Sequence, residues 1–282
     1  MKLIRFGNKG SEKPGVLLDG KRMDCSAHFE DWNRDFFNGG GLKILQDLVN
    51  EKESELPIVP ADARWASCVP RPGMIMCVGL NYSDHARESG MEVPAEPILF
   101  MKAANTISGP FDHVPIPRGS QKTDWEVELA IVIGKDALYL GSEDEARDAI
   151  AGYCIMNDLS EREYQLEKGG QWVKGKSCPG FSPLGPTLVT KDEIPDVNTL
   201  DMQLSVNGDL MQNGNTSTMV FNPAFLVHYI SQFMLLEAGD VIATGTPPGV
   251  GLGMKPPLFL KAGDRVELSI DGLGTQAQHF IE

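Results

Sequence analysis

No stretch of this sequence approaches the ~18–20 consecutive apolar residues of a membrane-spanning helix. Basic charge is also short. The 25 Lys and Arg face 39 Asp and Glu, a formal charge of −14, which is unfavourable for wrapping a phosphate backbone and argues against nucleic acid as a partner. A small anionic ligand is still admitted, because a pocket can be locally positive inside an acidic protein. The five cysteines (25, 68, 77, 154 and 178) are scattered, with no CxxC pair. That argues against both a disulfide framework and a thiolate zinc site, and it fits a reducing cytoplasm. The five histidines form no HxH or HExxH arrangement, so a histidine-ligated metal is poorly supported. The start, MKLIRFG, has no apolar segment behind its charge and no small-residue cleavage site. It reads as a first strand, not as a signal peptide. Internal repeats and low-complexity tracts are missing as well.

What is present suffices for a substantial core: 282 residues, 41% hydrophobic. Residues 1–71 differ in texture from the rest, with strand-like runs, the turn-rich stretch KGSEKPG (9–15) and a helix candidate at 42–49. The tripeptide RPG (71–73) punctuates the chain. We therefore expect a small N-terminal domain over 1–71 and a larger domain over 72–282. Beyond the boundary come short β-type runs at 74–79, 98–102, 126–133, 152–157, 187–189, 203–206, 241–243 and 266–270. Two helices are expected: 143–150 behind the cap Ser142, and 223–236, opened by Asn222 and Pro223 and closed before Gly239. Many short strands with few helices predict an α+β, mainly β architecture, not a βαβ series.

The run DWEVELAIVIG (124–134) carries the most chemistry. Trp125, Val127, Leu129, Ile131 and Ile133 alternate, so one face of the strand is wholly apolar. The other face reads Glu126, Glu128, Ala130, Val132. Period two puts the two glutamates on the same side, about 7 Å apart, beside residues that suggest a dry environment. Two like charges there are unfavourable unless a cation neutralises them. Oxygen ligands alone favour Mg²⁺, Mn²⁺ or Ca²⁺ over zinc. A strand end with solvated glutamates is the competing reading. Asp158, at the end of the apolar run 152–157, is a third candidate ligand, with helix capping ahead of SERE (160–163) as its competitor.

A second candidate group follows the run at 74–79. If a helix starts near Ser83, His85 and Glu88 sit at i, i+3 and share a face. A carboxylate beside an imidazole raises its basicity and orients it, which suits a general base acting on water. A surface histidine with an incidental glutamate is the alternative. Two further motifs mislead. GQWVKGKS (170–177) matches GxxxxGK[ST], but a phosphate loop needs a buried strand before it and a helix after it. Here charged residues precede and CPGFSP (178–183) follows. GTPPGVGLG (245–253) follows a strand, but Lys255-Pro256-Pro257 forbids the helix of a dinucleotide fold. It reads as a rigid loop offering backbone N–H groups and the Thr246 hydroxyl.

Taken together, GLNYSDHARESG (79–90), PILFMKA (97–103), DWEVELAIVIGKDA (124–137), GYCIMNDLSERE (152–163), GQWVKGKS (170–177) and IATGTPPGVGLG (242–253) resemble the fumarylacetoacetate hydrolase family, in order, over roughly 72–275. The resemblance implies a mixed β-sheet roll with a small N-terminal α/β appendage and usually a homodimer. It implies Mg²⁺, or Mn²⁺ or Ca²⁺, at Glu126, Glu128 and Asp158, and a lid segment bearing His85 and Glu88. Lys176 matches the family's active-site lysine. Gln165 and Thr246 match substrate-contacting positions, as do Arg162 and Tyr82.

The chemistry implied by the resemblance is metal-dependent cleavage of a C–C bond in a 2,4-dioxo acid. The cation chelates the carboxylate and the 2-oxo oxygen. His85, oriented by Glu88, deprotonates a water that attacks the 4-carbonyl, and the cation with Lys176 stabilises the departing pyruvate enolate. Within the family, the 79–103 and RGSQKTDWEVE (118–128) segments look like hydrolases of diketo-deoxy sugar acids from L-fuconate and L-rhamnonate breakdown, the reading favoured here. They also look like proteins labelled ureidoglycolate lyase. Hydratase, isomerase and decarboxylase members share the same triad. From other classes, a P-loop nucleotide-binding protein and a metal-stabilised binding module without catalysis stay open. The presence of both His85 and Glu88 argues against the second.

Overall fold

The computed structural model describes residues 1–88 and 92–282, with the backbone alone at residues 85, 86 and 88. Among the described residues, sheets of ten, five and two strands and a few short helices make up the fold, matching the α+β, mainly β expectation. The larger sheet has ten strands. Its centre is the antiparallel pair Val127–Ile133 and Ile150–Asn157, every residue of which is buried. On one side Val127–Ile133 pairs antiparallel with Val241–Ala243, which pairs parallel with Ile75–Gly79, with Ile98–Lys102 at the edge. On the other side Ile150–Asn157 pairs with Ser182–Thr190. The second sheet has five strands and is built round Asp201–Val206 and Arg265–Ile270.

The alternation read along 125–133 is the reason for two cores. Trp125, Val127, Leu129, Ile131 and Ile133 point into an apolar cluster shared with Met202, Leu204, Val266 and Leu268 of the five-stranded sheet and with Leu226 and Val227 of the helix Pro223–Ser231. Ala130 and Val132 point the other way, into a cluster with Trp32, Phe36 and Leu45 under the helices Arg34–Asn38 and Gly41–Lys52. The strand is buried on both faces, and Glu126 just before it and Glu128 within it are only 7% and 2% exposed.

Residues 1–71 join the larger sheet at one edge. Lys2–Phe6 pairs with Ser182–Thr190, with Leu3 opposite Leu188, and Lys13–Leu18 and Lys21–Asp24 continue the ladder outward. Residues 66–74, around the expected boundary, carry neither helix nor strand. The helix Glu143–Ala149 is capped as expected, Ser142 accepting from Glu145 N–H. The helix opened by Asn222 and Pro223 stops at Ser231, five residues early. Its apolar pattern runs on, but the residues after Ser231 are drawn away: Leu236 exchanges two backbone hydrogen bonds with Ala137. The strands not foreseen include Asp209–Asn215 and Gly274–Ile281.

Among the described residues no helix is long and apolar enough to cross a membrane.

Candidate metal centre and its pocket

The site is assembled by sheet register. Met156 lies opposite Glu128 and Asn157 opposite Val127, and the ladder continues as Asp158 N–H donates to Glu126 O at 2.9 Å. Asp158 therefore arrives beside both glutamates. One carboxylate oxygen from each of Glu126, Glu128 and Asp158 lies within 4.8 Å of the others, and all three residues are buried.

The charges around this triad are nearly balanced by the chain itself. Lys176 Nζ bridges Glu126 Oε2 at 2.7 Å and Asp158 Oδ2 at 2.6 Å. Lys102 Nζ reaches Asp158 Oδ1 at 2.5 Å and Leu159 O at 3.0 Å. Arg162 donates through Nη2 to Glu126 Oε1 at 2.7 Å, through Nε to Asp124 Oδ2 at 2.8 Å and through Nη1 to Gln165 Oε1 at 3.0 Å. Burial alone would raise the Glu126 pKa, but Lys176 and Arg162 outweigh it and bring it down to about 2. For Lys176, burial works against the charge, and Asp158 and Glu126 overcome it, holding its proton more tightly than an ordinary lysine's.

Glu128 is different. Its hydrogen bond comes from Gly245 N–H at 2.8 Å, with no cation paired to it among the described residues. Burial, then Asp158 and Glu126, push its carboxyl well above the usual range. The hydrogen-bonded network at the floor holds four carboxylates (Asp124, Glu126, Glu128, Asp158) and three cations (Lys102, Arg162, Lys176), while Glu161, also buried, turns to Thr123 and Lys122 N–H. With Glu128 ionised this network carries one excess negative charge, on an all-oxygen donor set. Both observations fit a hard divalent cation better than a soft one.

A cavity of about 450 Å³ opens over this floor. Glu126, Glu128, Arg162, Gln165, Lys176 and Thr246 line its polar end. The structure thus brings together most of the residues expected from sequence. Arg162 and Gln165 meet across a π-helical turn, Glu163–Glu167. Thr246 lines the cavity, but its hydroxyl donates to Val127 O at 2.8 Å and accepts from Gln212 Nε2 at 2.8 Å. Tyr82 does not join them. It is fully buried in the apolar core, its hydroxyl 3.0 Å from Met202 Sδ, and it does not line the cavity. The local reason is the turn after Ile75–Gly79. Leu80 takes φ +53 and Asn81 is clamped by Phe221 and Thr244, which swings the next side chain inward. His85 and Glu88 fall in the helix Ser83–Glu88 as expected, and their side chains lie outside the described residues. The GxxxxGK[ST] match is not a phosphate loop. The π-helical turn, not a strand, precedes it, and the helix within it is the four-residue Val173–Lys176.

Sequence reasoning missed three buried polar residues. Lys102 ends the strand Ile98–Lys102 and is 1% exposed. Asp124 precedes Trp125 and is fully buried. In the structure it accepts from Gly251 N–H at 2.7 Å and Leu252 N–H at 3.0 Å as well as from Arg162, so it ties the glycine-rich loop to the site. Gln212, on a strand not foreseen, holds the same loop through Thr246 and Pro247 O.

Residues 74–281 match the family model described as fumarylacetoacetate (FAA) hydrolase, C-terminal. A protein of Burkholderia lata carrying a provisional hydrolase description is 52% identical, over 99% of this chain and 98% of its own. The solved fumarylacetoacetate hydrolase of the psychrophile Exiguobacterium antarcticum superposes with a TM-score of 0.87 at 35% identity, covering 100% of this chain and 99% of its own. The maleylpyruvate hydrolase of Sphingobium sp. SYK-6, solved with manganese(II) and pyruvate, gives 0.81 at 29% identity, with 100% and 99% covered.

Proposed function

The chain belongs to the fumarylacetoacetate hydrolase family and is an enzyme, and we propose that it hydrolyses a C–C bond in a 2,4-dioxo acid and releases pyruvate. The observation that carries this reading is the buried triad Glu126, Glu128 and Asp158 beneath the cavity, with no cation paired to Glu128 among the described residues. With a divalent cation bound and Glu128 ionised, the network would carry +1, which suits one substrate carboxylate. The cation supplies a Lewis acid for the oxo-acid end of the substrate.

The chain's own residues supply the rest. Arg162 and Lys176 fix the orientation of Glu126, and Lys102 and Lys176 fix Asp158. In this reading Lys176, which lines the cavity beside the triad, faces the negative charge that develops on the departing three-carbon unit. The reading assigns to His85, with Glu88, removal of the proton from the attacking water. Hydroxide adds to C4, the C3–C4 bond breaks, and C3 takes a proton. The products are pyruvate and the acid of the tail. Support for pyruvate comes from the manganese and pyruvate in the maleylpyruvate hydrolase above. Mg²⁺ and Mn²⁺ are both suited to the donor set. A small anionic substrate and a homodimer accompany this proposal, the latter open to sedimentation analysis.

The test is a screen of 2,4-dioxo acids, 2-hydroxydienoates and ureidoglycolate with Mg²⁺ or Mn²⁺, detecting pyruvate and glyoxylate. Pyruvate from a 2,4-dioxo acid, lost in Glu126→Ala, is the expected result. Glyoxylate from ureidoglycolate alone would replace the reading with the lyase one.

A further inference from the structure

The cavity joins walls of opposite chemistry. Besides the polar residues at the triad, its described wall includes Val78, Leu80, Phe100, Leu166, Trp172 and Leu252. Among the described lining residues the cations are Arg162 and Lys176, and both are paired with buried carboxylates. A second carboxylate on a substrate's tail finds no countercharge on this wall. A run of hydroxyls there gives up water without gaining partners. A hydrocarbon tail gains from leaving water.

Trp172 is the built part of the wall. Its indole lies against Gly79, where a Cβ would come within 3.1 Å of the ring. It meets Phe100 edge to face, with centroids 5.2 Å apart and planes at 67°. Phe100 in turn carries Lys176 Nζ above its ring, at 5.1 Å. Trp172 also opens the helical turn that ends in Lys176: Lys176 N–H donates to Trp172 O at 3.1 Å. Gly169 and Gly170, at φ +83 and +68, lead into this turn through backbone conformations that favour glycine. One turn of chain thus carries both the wall that a tail touches and the cation at the reacting end.

We infer that Trp172 is the specificity-determining residue of this site, selecting 2-oxo acids whose tail beyond the reacting carbon is apolar over dicarboxylic and polyhydroxylated ones, against the sugar-acid tail expected from the sequence. The reacting end rests on the 2,4-dioxo acid reading. The tail preference concerns binding and stands apart from it. A tail seated on Trp172 fixes the turn and with it Lys176, so tail contacts raise kcat as well as lowering KM.

Two measurements on the Mn²⁺-loaded protein test this. The first is calorimetric binding of four 2-oxo acids that lack a 4-carbonyl: 2-oxobutanoate, 2-oxo-4-phenylbutanoate, 2-oxoglutarate and a 3-deoxy-2-oxo sugar acid. The phenyl compound should bind about tenfold or more tightly than the others, within the range that apolar pockets discriminate. Trp172→Ala should bring that ratio down to about threefold or less, whereas Trp172→Phe should keep most of it. Leu252→Ser, at a half-exposed position on the cavity rim, should narrow the ratio without touching the turn. The second is kcat/KM for benzoylpyruvate against acetylpyruvate, where Trp172→Ala should lower the ratio through kcat. If the sugar acid or 2-oxoglutarate binds as tightly as the phenyl compound, or if Trp172→Ala and Leu252→Ser both leave the ratio unchanged, the inference fails. If the binding preference holds but no 2,4-dioxo acid is cleaved, the tail assignment stands and the reaction reading falls.

Discussion

Asp124 Oδ2 and Arg162 Nε meet at 2.8 Å with both side chains buried. The same guanidinium reaches Glu126, and the same carboxylate holds the N–H groups of Gly251 and Leu252. The glycine-rich loop and a metal ligand are thus coupled through one ion pair. Removing one partner of a buried pair typically costs about 3–5 kcal/mol, because the other is left uncompensated. Asp124→Ala should lower stability in urea by about that amount and weaken cation binding. Asp124→Asn, which keeps an acceptor for the loop, should lose less. Unchanged cation affinity in Asp124→Ala would show that the loop and the ligand are independent.

Chelation should abolish activity, and Mn²⁺ or Mg²⁺ should restore it. At a free cation level about 100 times its dissociation constant, binding adds about 2.7 kcal/mol of stability, visible as a rise in Tm. The pH dependence has a definite sign. Glu128 has its folded pKa raised, first by burial and then by Asp158 and Glu126. In the metal-free protein the stability tied to its proton is present at low pH and is lost as pH rises through the folded value. A cation displaces that proton, so affinity should increase with pH over the same window. Glu128→Gln should flatten the metal-free Tm profile and abolish cation binding. A profile that keeps its slope in this variant would assign the proton elsewhere.

A second titration is expected at the surface. Asp136 accepts from Arg34, Asn38 and Ala238 N–H, joining the helix Arg34–Asn38 to the strand region behind the site. Arg34 is the main cause that brings its pKa down from 3.8 to about 2, against partial burial. A depressed folded value means stability that is present above the unfolded pKa and lost as pH falls towards the folded one. Tm should therefore decline between about pH 4 and pH 2, and Asp136→Asn should remove part of that decline. An identical acid profile in the variant would exclude Asp136 as a contributor.

Gly249 is required by space and by conformation. Its φ is +103, and a Cβ there would come within 2.0 Å of Met211 O. Overpacking and a left-handed side-chain residue together should make Gly249→Ala cost about 3 kcal/mol. The loop that carries Thr246 should shift, with KM rising. Wild-type stability and kinetics in this variant would contradict the described loop.

The strand bearing Glu126 and Glu128 was legible because period two is a local property. Asp158 was legible from the residues alone as a candidate ligand competing with a helix cap, the family resemblance grouped it with the glutamates, and the register sets it beside Glu126. Lys102, Asp124 and Gln212 were not legible, because their roles exist only between segments far apart in the chain. The strand Gly274–Ile281 hid for a related reason: its inward positions include Gln276 and Gln278, which are fully buried. They satisfy carbonyls of Ile155, Gly185 and Pro110, so no apolar alternation marks that face. Tyr82 shows the reverse error. Motif position placed it at the substrate, and the turn at Leu80 and Asn81 sent it into the core.

The pairing of Lys2–Phe6 with Ser182–Thr190 has a consequence for how the chain can be handled. A protein cut back to residues 74–282 keeps the triad, but it strips the neighbour from a buried strand. It also bares the apolar face that Trp32, Phe36 and Leu45 cover. A long unpaired edge of that kind is a template for the edge of another molecule. Such a trimmed protein should aggregate by edge-to-edge pairing even with every metal ligand in place.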